Sequence, residues 1–146
     1  MDKKKLILEV SSSIEAFEEC TDEFKDDEEV VLAAVNYSGS SLQYASDRLR
    51  DNLKIVKAAD DEDIDALGYA SERLRNDKKL VMSSVKVWGQ TLQFASEELR
   101  NDKQVVLAAI KARASAIYYA SDSLKNDPAF IKAAKKIDDD IESYLT

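Results

Sequence analysis

At 146 residues the chain is long enough for one domain, and 45% apolar with 34% charged residues, three Gly and one Pro supports a buried core rather than a disordered chain. One Cys and no His exclude an internal disulfide and remove the commonest general base and metal ligand. A net charge of −8, from 29 acidic against 21 basic residues, argues against direct nucleic-acid binding, which rests on cations neutralising phosphates, and favours a basic protein partner.

In chain order, Lys3, Lys4 and Lys5 precede only a short apolar stretch, and nothing later approaches the roughly 18 apolar residues of a bilayer span. A soluble, non-exported protein with no membrane contact is expected, in the cytoplasm, or in the host-cell cytosol for an effector or phage protein. From Asp2 onward the chain repeats with a period of 25 residues, in blocks 2–26, 27–51, 52–76, 77–101 and 102–126 and a partial block 127–146. The first block is degenerate: Glu19 replaces the aromatic residue, Cys20 the Ala and Ile14 the Gly, as a cap without a neighbour on one face would.

The second block opens Asp27-Glu28-Glu29-Val30-Val31-Leu32-Ala33-Ala34-Val35, matched from Asp77 and from Asp102. Its apolar residues fall one helical turn apart, and Asp27 stands three residues before Val30 as an N-cap. Pro128 after Asp127 fixes the start of the last such helix. Gly39 and Gly89 sit where the chain reverses and needs a permissive residue. A second helix then carries Leu42, Ala45, Ser46 and Leu49 on one face, at i, i+3, i+4, i+7 spacing. The string Leu42-Gln43-Tyr44-Ala45-Ser46 returns as Leu67-Gly68-Tyr69-Ala70-Ser71 and Leu92-Gln93-Phe94-Ala95-Ser96, and more loosely from Ile117. Helices this short are marginal alone and must bury their stripes against neighbours. The expectation is one all-α domain spanning 1–146, a right-handed solenoid of short helical hairpins, monomeric.

The unit Leu-Gln-Tyr-Ala-Ser-x-x-Leu-Arg-x-Asp followed by Asp-x-x-Val-Val-Leu-Ala-Ala-Val resembles a family of tandem repeats known only as a domain of unknown function, over nearly the whole chain. The resemblance implies a helical repeat and no assigned activity. Two departures stand out: Asp60-Asp61-Glu62-Asp63 fills a turn that elsewhere holds Lys and Gly, and Trp88 precedes Gly89 where a polar residue is usual.

No constellation supports an enzyme, a cofactor or a metal. The serines at 46, 71, 96 and 121 lack an adjacent base and read as structural, small residues bonding back to the preceding turn. Asp61, Asp63, Asp65 and Glu72 fall at positions 1, 3, 5 and 12 of a calcium loop, but Ala66 stands where that loop needs Gly, and a solvated acidic turn is the better reading. Arg50, Arg75, Arg100 and Lys125, with Lys25 in the same column, form a basic ladder; pairing with carboxylates of their own loops, as Arg75 beside Asp77 and Arg100 beside Asp102, is favoured over a phosphate or acidic-peptide groove. Tyr44, Tyr69, Phe94 and Tyr119 read as packing between layers, and Cys20 as buried and inert.

The turns vary most between copies, and variation on a fixed scaffold is how repeat proteins carry specificity. The expected function is therefore non-enzymatic protein binding through Tyr37, Asp60, Asp61, Glu62, Asp63, Trp88 and Arg113. The alternative is an acidic decoy that occupies a basic nucleic-acid-binding site on another protein.

Overall fold

An aspartate carboxylate oxygen or an asparagine amide oxygen caps the start of nearly every long helix. In the computed structural model, which describes residues 2–145, Asp27 Oδ1 accepts from the backbone N–H groups of Glu29 (3.0 Å) and Val30 (3.2 Å), satisfying two donors that the helix itself leaves open. Asn52, Asp77 and Asp102 do the same 25, 50 and 75 residues on, and Asp127 accepts from Ala129, one residue past Pro128 at the first helical position. The structure is all-helical, with no strand among the described residues.

The chain divides into two compact units, Met1–Leu74 and Arg75–Thr146. The first holds α1 (Lys3–Val10), α2 (Ile14–Glu18), α3 (Asp22–Lys25), α4 (Glu28–Tyr37), α5 (Asp47–Arg50), α6 (Leu53–Glu62) and all but the last residue of α7 (Glu72–Arg75). Helix α4 packs between α1 and α6, and Leu6, Phe17, Val30, Val31, Leu42, Leu49, Ile55 and Leu67 are closed off from solvent. The second holds α8 (Lys78–Val87), α9 (Glu97–Arg100), α10 (Lys103–Ala112), α11 (Asp122–Lys125) and α12 (Pro128–Lys135). There α10 packs against α8 and α12, burying Leu80, Val81, Leu92, Val105, Ile110, Ile117 and Phe130.

The helix expected over Leu42–Leu49 is broken in two. A 3-10 helix, Gly39–Tyr44, ends at Ala45, where the backbone turns extended (ψ 156°), and α5 begins after Ser46. Ala70, Ala95 and Ala120 break the chain the same way. The cause is a tertiary bond: Ser46 N–H donates to the Lys25 carbonyl (2.9 Å), and Ser71, Ser96 and Ser121 donate likewise to the carbonyls of Arg50, Arg75 and Arg100. The serine hydroxyl then caps the short helix, Leu49 N–H donating to Ser46 Oγ at 3.3 Å. The apolar spacing still buries Leu42, Ala45 and Leu49, because a 3-10 turn followed by an α turn keeps them on one side.

The glycines serve a purpose other than an unusual backbone angle, since no residue has positive φ among those described. A Cβ on Gly39 would run into the carbonyl oxygen of Ala59, and one on Gly89 would lie 2.5 Å from that of Ala109. Close approach of the long helix in the next period excludes a side chain here.

Candidate interaction surface

The surface is built on the outward sides and C-terminal ends of the long helices, whose inward stripes are locked in the cores. Tyr37 closes α4 and is 49% exposed; Trp88 follows α8 and is 42% exposed beside Val87 at 66%. These are large apolar groups held at helix ends, the type of residue that anchors interfaces. Arg113 is exposed at the end of α10, with Nε donating to Ser115 Oγ at 3.2 Å. Asp61 and Glu62 are exposed on the last turn of α6. Asp63 is only half-exposed and accepts from Asp65 N–H (2.9 Å), while Asp60, at 7% exposure, is buried. The acidic turn is thus part support and part surface, because the final turn of α6 rotates Asp60 onto the buried stripe with Ile55, Val56 and Ala59.

Between these ends, the outward faces differ in sign. In the first unit, Glu28 and Glu29 start α4 and Asp61 and Asp63 end α6; fifty residues on, the same columns hold Lys78, Lys79, Lys111 and Arg113. Residues 1–74 carry 9 basic and 19 acidic side chains, a net −10, whereas 75–146 carry 12 and 10, a net +2. Two shallow depressions mark the basic face. One of about 770 Å³ lies over Lys78, Lys79, Met82, Ser83, Lys86 and Val87. The other, of about 430 Å³, lies over Lys86, Gln104, Leu107, Ala108, Lys111 and Ala112.

A separate set of side chains closes each period onto the next. In the first unit Asp26 accepts from the Ser46 hydroxyl and from Arg48 Nε (2.9 Å), and Asp51 accepts from the Ser71 hydroxyl and Arg73 Nε (2.9 Å). These hydrogen bonds, serine first and arginine second, hold both carboxyls below the usual carboxylate range. In the second unit the acceptors are amides, Asn76 for Ser96 and Asn101 for Ser121 (2.6 Å), and Glu98 stands where the arginines were, accepting from Asn76 Nδ2 at 3.2 Å. Lysines add a second tie at the helix caps: Lys3 to Asp27 (2.8 Å), Lys78 to Asp102 (2.6 Å) and Lys103 to Asp127 (2.8 Å). Asp27 and Asp127 are lowered chiefly by these lysine bonds; at Asp102 burial pushes up, and the bonds from Lys78, Val105 and Gln104 outweigh it.

The serine column is therefore a clasp, each hydroxyl donating to the preceding period and capping its own helix, rather than a small residue bonding back to the preceding turn. Among the described residues no group of His, Cys, Asp and Glu is placed to hold a metal ion, and no helix is long and apolar enough to cross a membrane. The basic ladder pairs only in part. Arg50 meets Asp47, and Lys125 meets Asp122 at 3.4 Å, each three residues back, but Arg75 and Arg100 make no ion pair with Asp77 or Asp102. Those two carboxylates cap α8 and α10 instead, and Glu replaces Asp three residues before each arginine. The Nε atoms of Arg50, Arg75 and Arg100 are buried without a hydrogen-bond partner among the described residues. Arg100 and Lys125 line a cleft of about 590 Å³ with Tyr118 and Tyr119, whose rings meet edge to face at 5.3 Å.

Five overlapping stretches of the chain, residues 4–50, 27–59, 61–100, 77–125 and 102–141, match the model of a family described as Domain of unknown function (DUF4116). The chain belongs to that family. No curated protein and no solved structure matches it. Within this member of the DUF4116 family, the aromatic column is half-buried rather than core, and partial burial, with the Glu18 carboxylate nearby, pushes the Tyr44 phenol up. Cys20 is half-buried too, and burial raises its thiol, which keeps it protonated and weakly nucleophilic. Sequence reasoning missed the reversal of charge between columns fifty residues apart, although the signal lies in the sequence once the copies are compared in pairs of blocks.

Proposed function

We propose that this protein is a non-enzymatic protein-interaction module, in which successive 25-residue periods within each unit stack as turns of a right-handed solenoid and present helix ends to a partner. The observation that carries the reading is the pair of half-exposed aromatic residues, Tyr37 at 49% and Trp88 at 42%, each fixed at the end of a long helix whose other face is fully buried. A rigid aromatic anchor costs little conformational entropy on binding, and truncating one at an interface centre typically costs about 2 kcal/mol or more. Charged groups flank the anchors within each unit, Asp61, Glu62 and Asp63 at the end of α6 in the first and Arg113 at the end of α10 in the second. Asp60 is not one of them.

The test is affinity capture followed by titration of the identified partner with the wild-type chain and with Trp88→Ala combined with Asp61→Asn and Glu62→Gln. Binding weakened by about tenfold or more, some 1.4 kcal/mol, is expected. Unchanged affinity for every captured partner overturns the reading. The net −10 on residues 1–74 favours a second reading, an acidic decoy for a basic nucleic-acid-binding site. It requires the captured partner to be released by competing DNA or RNA and by modest salt.

A further inference from the structure

Two faces of one chain carry opposite charge on the same framework. On the first unit the acidic groups stand at opposite ends of neighbouring helices, Glu28 at the start of α4 and Asp61 with Glu62 at the end of α6. On the second unit Lys111 at the end of α10 shares the column of Asp61, Lys79 at the start of α8 stands one residue past the column of Glu28, and Lys86 lies near the end of α8. All six side chains are exposed. Lys79, Lys86, Lys111, Asp61 and Glu62 make no ion pair among the described residues, and Glu28 reaches Arg48 only at 3.7 Å. The charges therefore remain available to something outside the chain.

Because Asp61 and Lys111 share a column and Glu28 and Lys79 lie within one residue of sharing one, the two patches on one face are spaced much like the two on the other. Turning one face in its own plane lets both pairs meet at once. Exposed apolar groups lie beside the patches: Tyr37 and Leu53, 49% and 42% exposed, on the acidic face, and Val87 with the half-buried Met82 and Leu107 on the basic one. Lys54 and Lys57 lie on α6 between the acidic ends and stand where the basic face has Gln104 and Leu107, so the attraction comes from the ends rather than the middle.

We infer that the occupant of the basic face is a second copy of this chain: the lysine face of α8 and α10 docks on the acidic face of α4 and α6 of another molecule. The contact joins two different surfaces, so it builds either a closed ring or pair, or an open row of copies. Two helices of about 15 Å each give a face smaller than a standard interface, so the association is weak and steeply dependent on salt. It goes beyond the aromatic-anchor reading; Asp61 and Glu62 enter both, and the two are told apart by the readout, self-association of the chain alone here and affinity for a captured partner there.

Sedimentation velocity on the full chain, over rising concentration, is run at about 0.01 M and about 0.15 M salt, between which the screening length falls from about 30 Å to about 8 Å. Association at low salt that weakens at least tenfold at the higher salt is expected. Variant one, Lys79→Glu with Lys86→Glu and Lys111→Glu, and variant two, Glu28→Lys with Asp61→Lys and Glu62→Lys, should each be monomeric alone. Mixed in equal amounts they should associate again, since one then offers acidic faces and the other basic ones. Recovery on mixing also shows that both variants are folded. A wild-type chain that stays monomeric at low salt, or a mixture that fails to associate while both variants keep the wild-type circular dichroism, overturns the inference. Either result leaves the lysine face to a foreign acidic partner.

Discussion

The two units solve one problem with different chemistry. Each must tie a short helix to the period before it, and each does so with a serine that both caps its own helix and donates backward. The first unit receives that hydroxyl on Asp26 and Asp51 and balances the charge with Arg48 and Arg73; the second receives it on Asn76 and Asn101 and needs no cation there. The second residue of the short helix changes in step, from arginine to Glu98 and Ser123. The geometry is thus set by the serine and the acceptor oxygen, and the charge is free to vary. That freedom lets one unit carry a net −10 and the other +2 on the same framework.

Three perturbations sharpen this comparison. The largest expected effect comes from emptying each core: Phe17→Ala and Phe130→Ala, at positions 0% and 1% exposed, should each cost about 3–5 kcal/mol. Amide exchange should rise mainly within the unit that lost its phenylalanine, and equal loss of protection in both would mean that they unfold as one.

Filling the glycine positions comes next. Gly39→Ala and Gly89→Ala should each cost about 1–3 kcal/mol in denaturant melts, since the new methyl meets a helix carbonyl in either unit. The larger cost is expected at Gly39, where the methyl would also meet Asp63 Cβ at 2.6 Å, whereas beyond the carbonyl the nearest atoms at Gly89 lie at 3.1 Å. A neutral outcome at either would show that the neighbouring long helix can shift outward there.

The smallest effect separates the clasps by pH. Asp26 and Asp51 titrate below their unfolded values, so their contribution is complete above about pH 4 and is lost as the pH falls through the lower folded values. Asn76 and Asn101 do not titrate. Protection of the Leu49 and Leu74 amides, which bond to Ser46 and Ser71, should therefore drop as the pH falls below about 4 more than that of Leu99 and Leu124. Parallel loss in all four would remove the electrostatic distinction between the clasps.

Much of this was legible in the chain because local rules sufficed for it. The Asp caps, the first-turn proline and the stripe at 30, 31, 34 and 35 depend on a few neighbouring residues and appear as expected. The break at Ala45-Ser46 was not legible: the apolar spacing of Leu42, Ala45 and Leu49 suits an unbroken helix equally well, and the deciding hydrogen bond comes from Lys25 in the preceding period. Gly39 was placed correctly at a chain reversal for a different reason, since only the approach of Ala59 makes a side chain impossible there. Asp60 looked like surface within a run of acids, and only the rotation of α6 onto its core shows it buried.

The sequence by itself determined the helical class, the repeat and where each long helix starts, because these follow from periodicity and capping over a few residues. Tertiary structure decided which serine oxygen meets which acceptor, which acid is buried and which cations are left unpaired. Those outcomes depend on contacts about one period away, and no local pattern encodes the direction in which a side chain will find its partner.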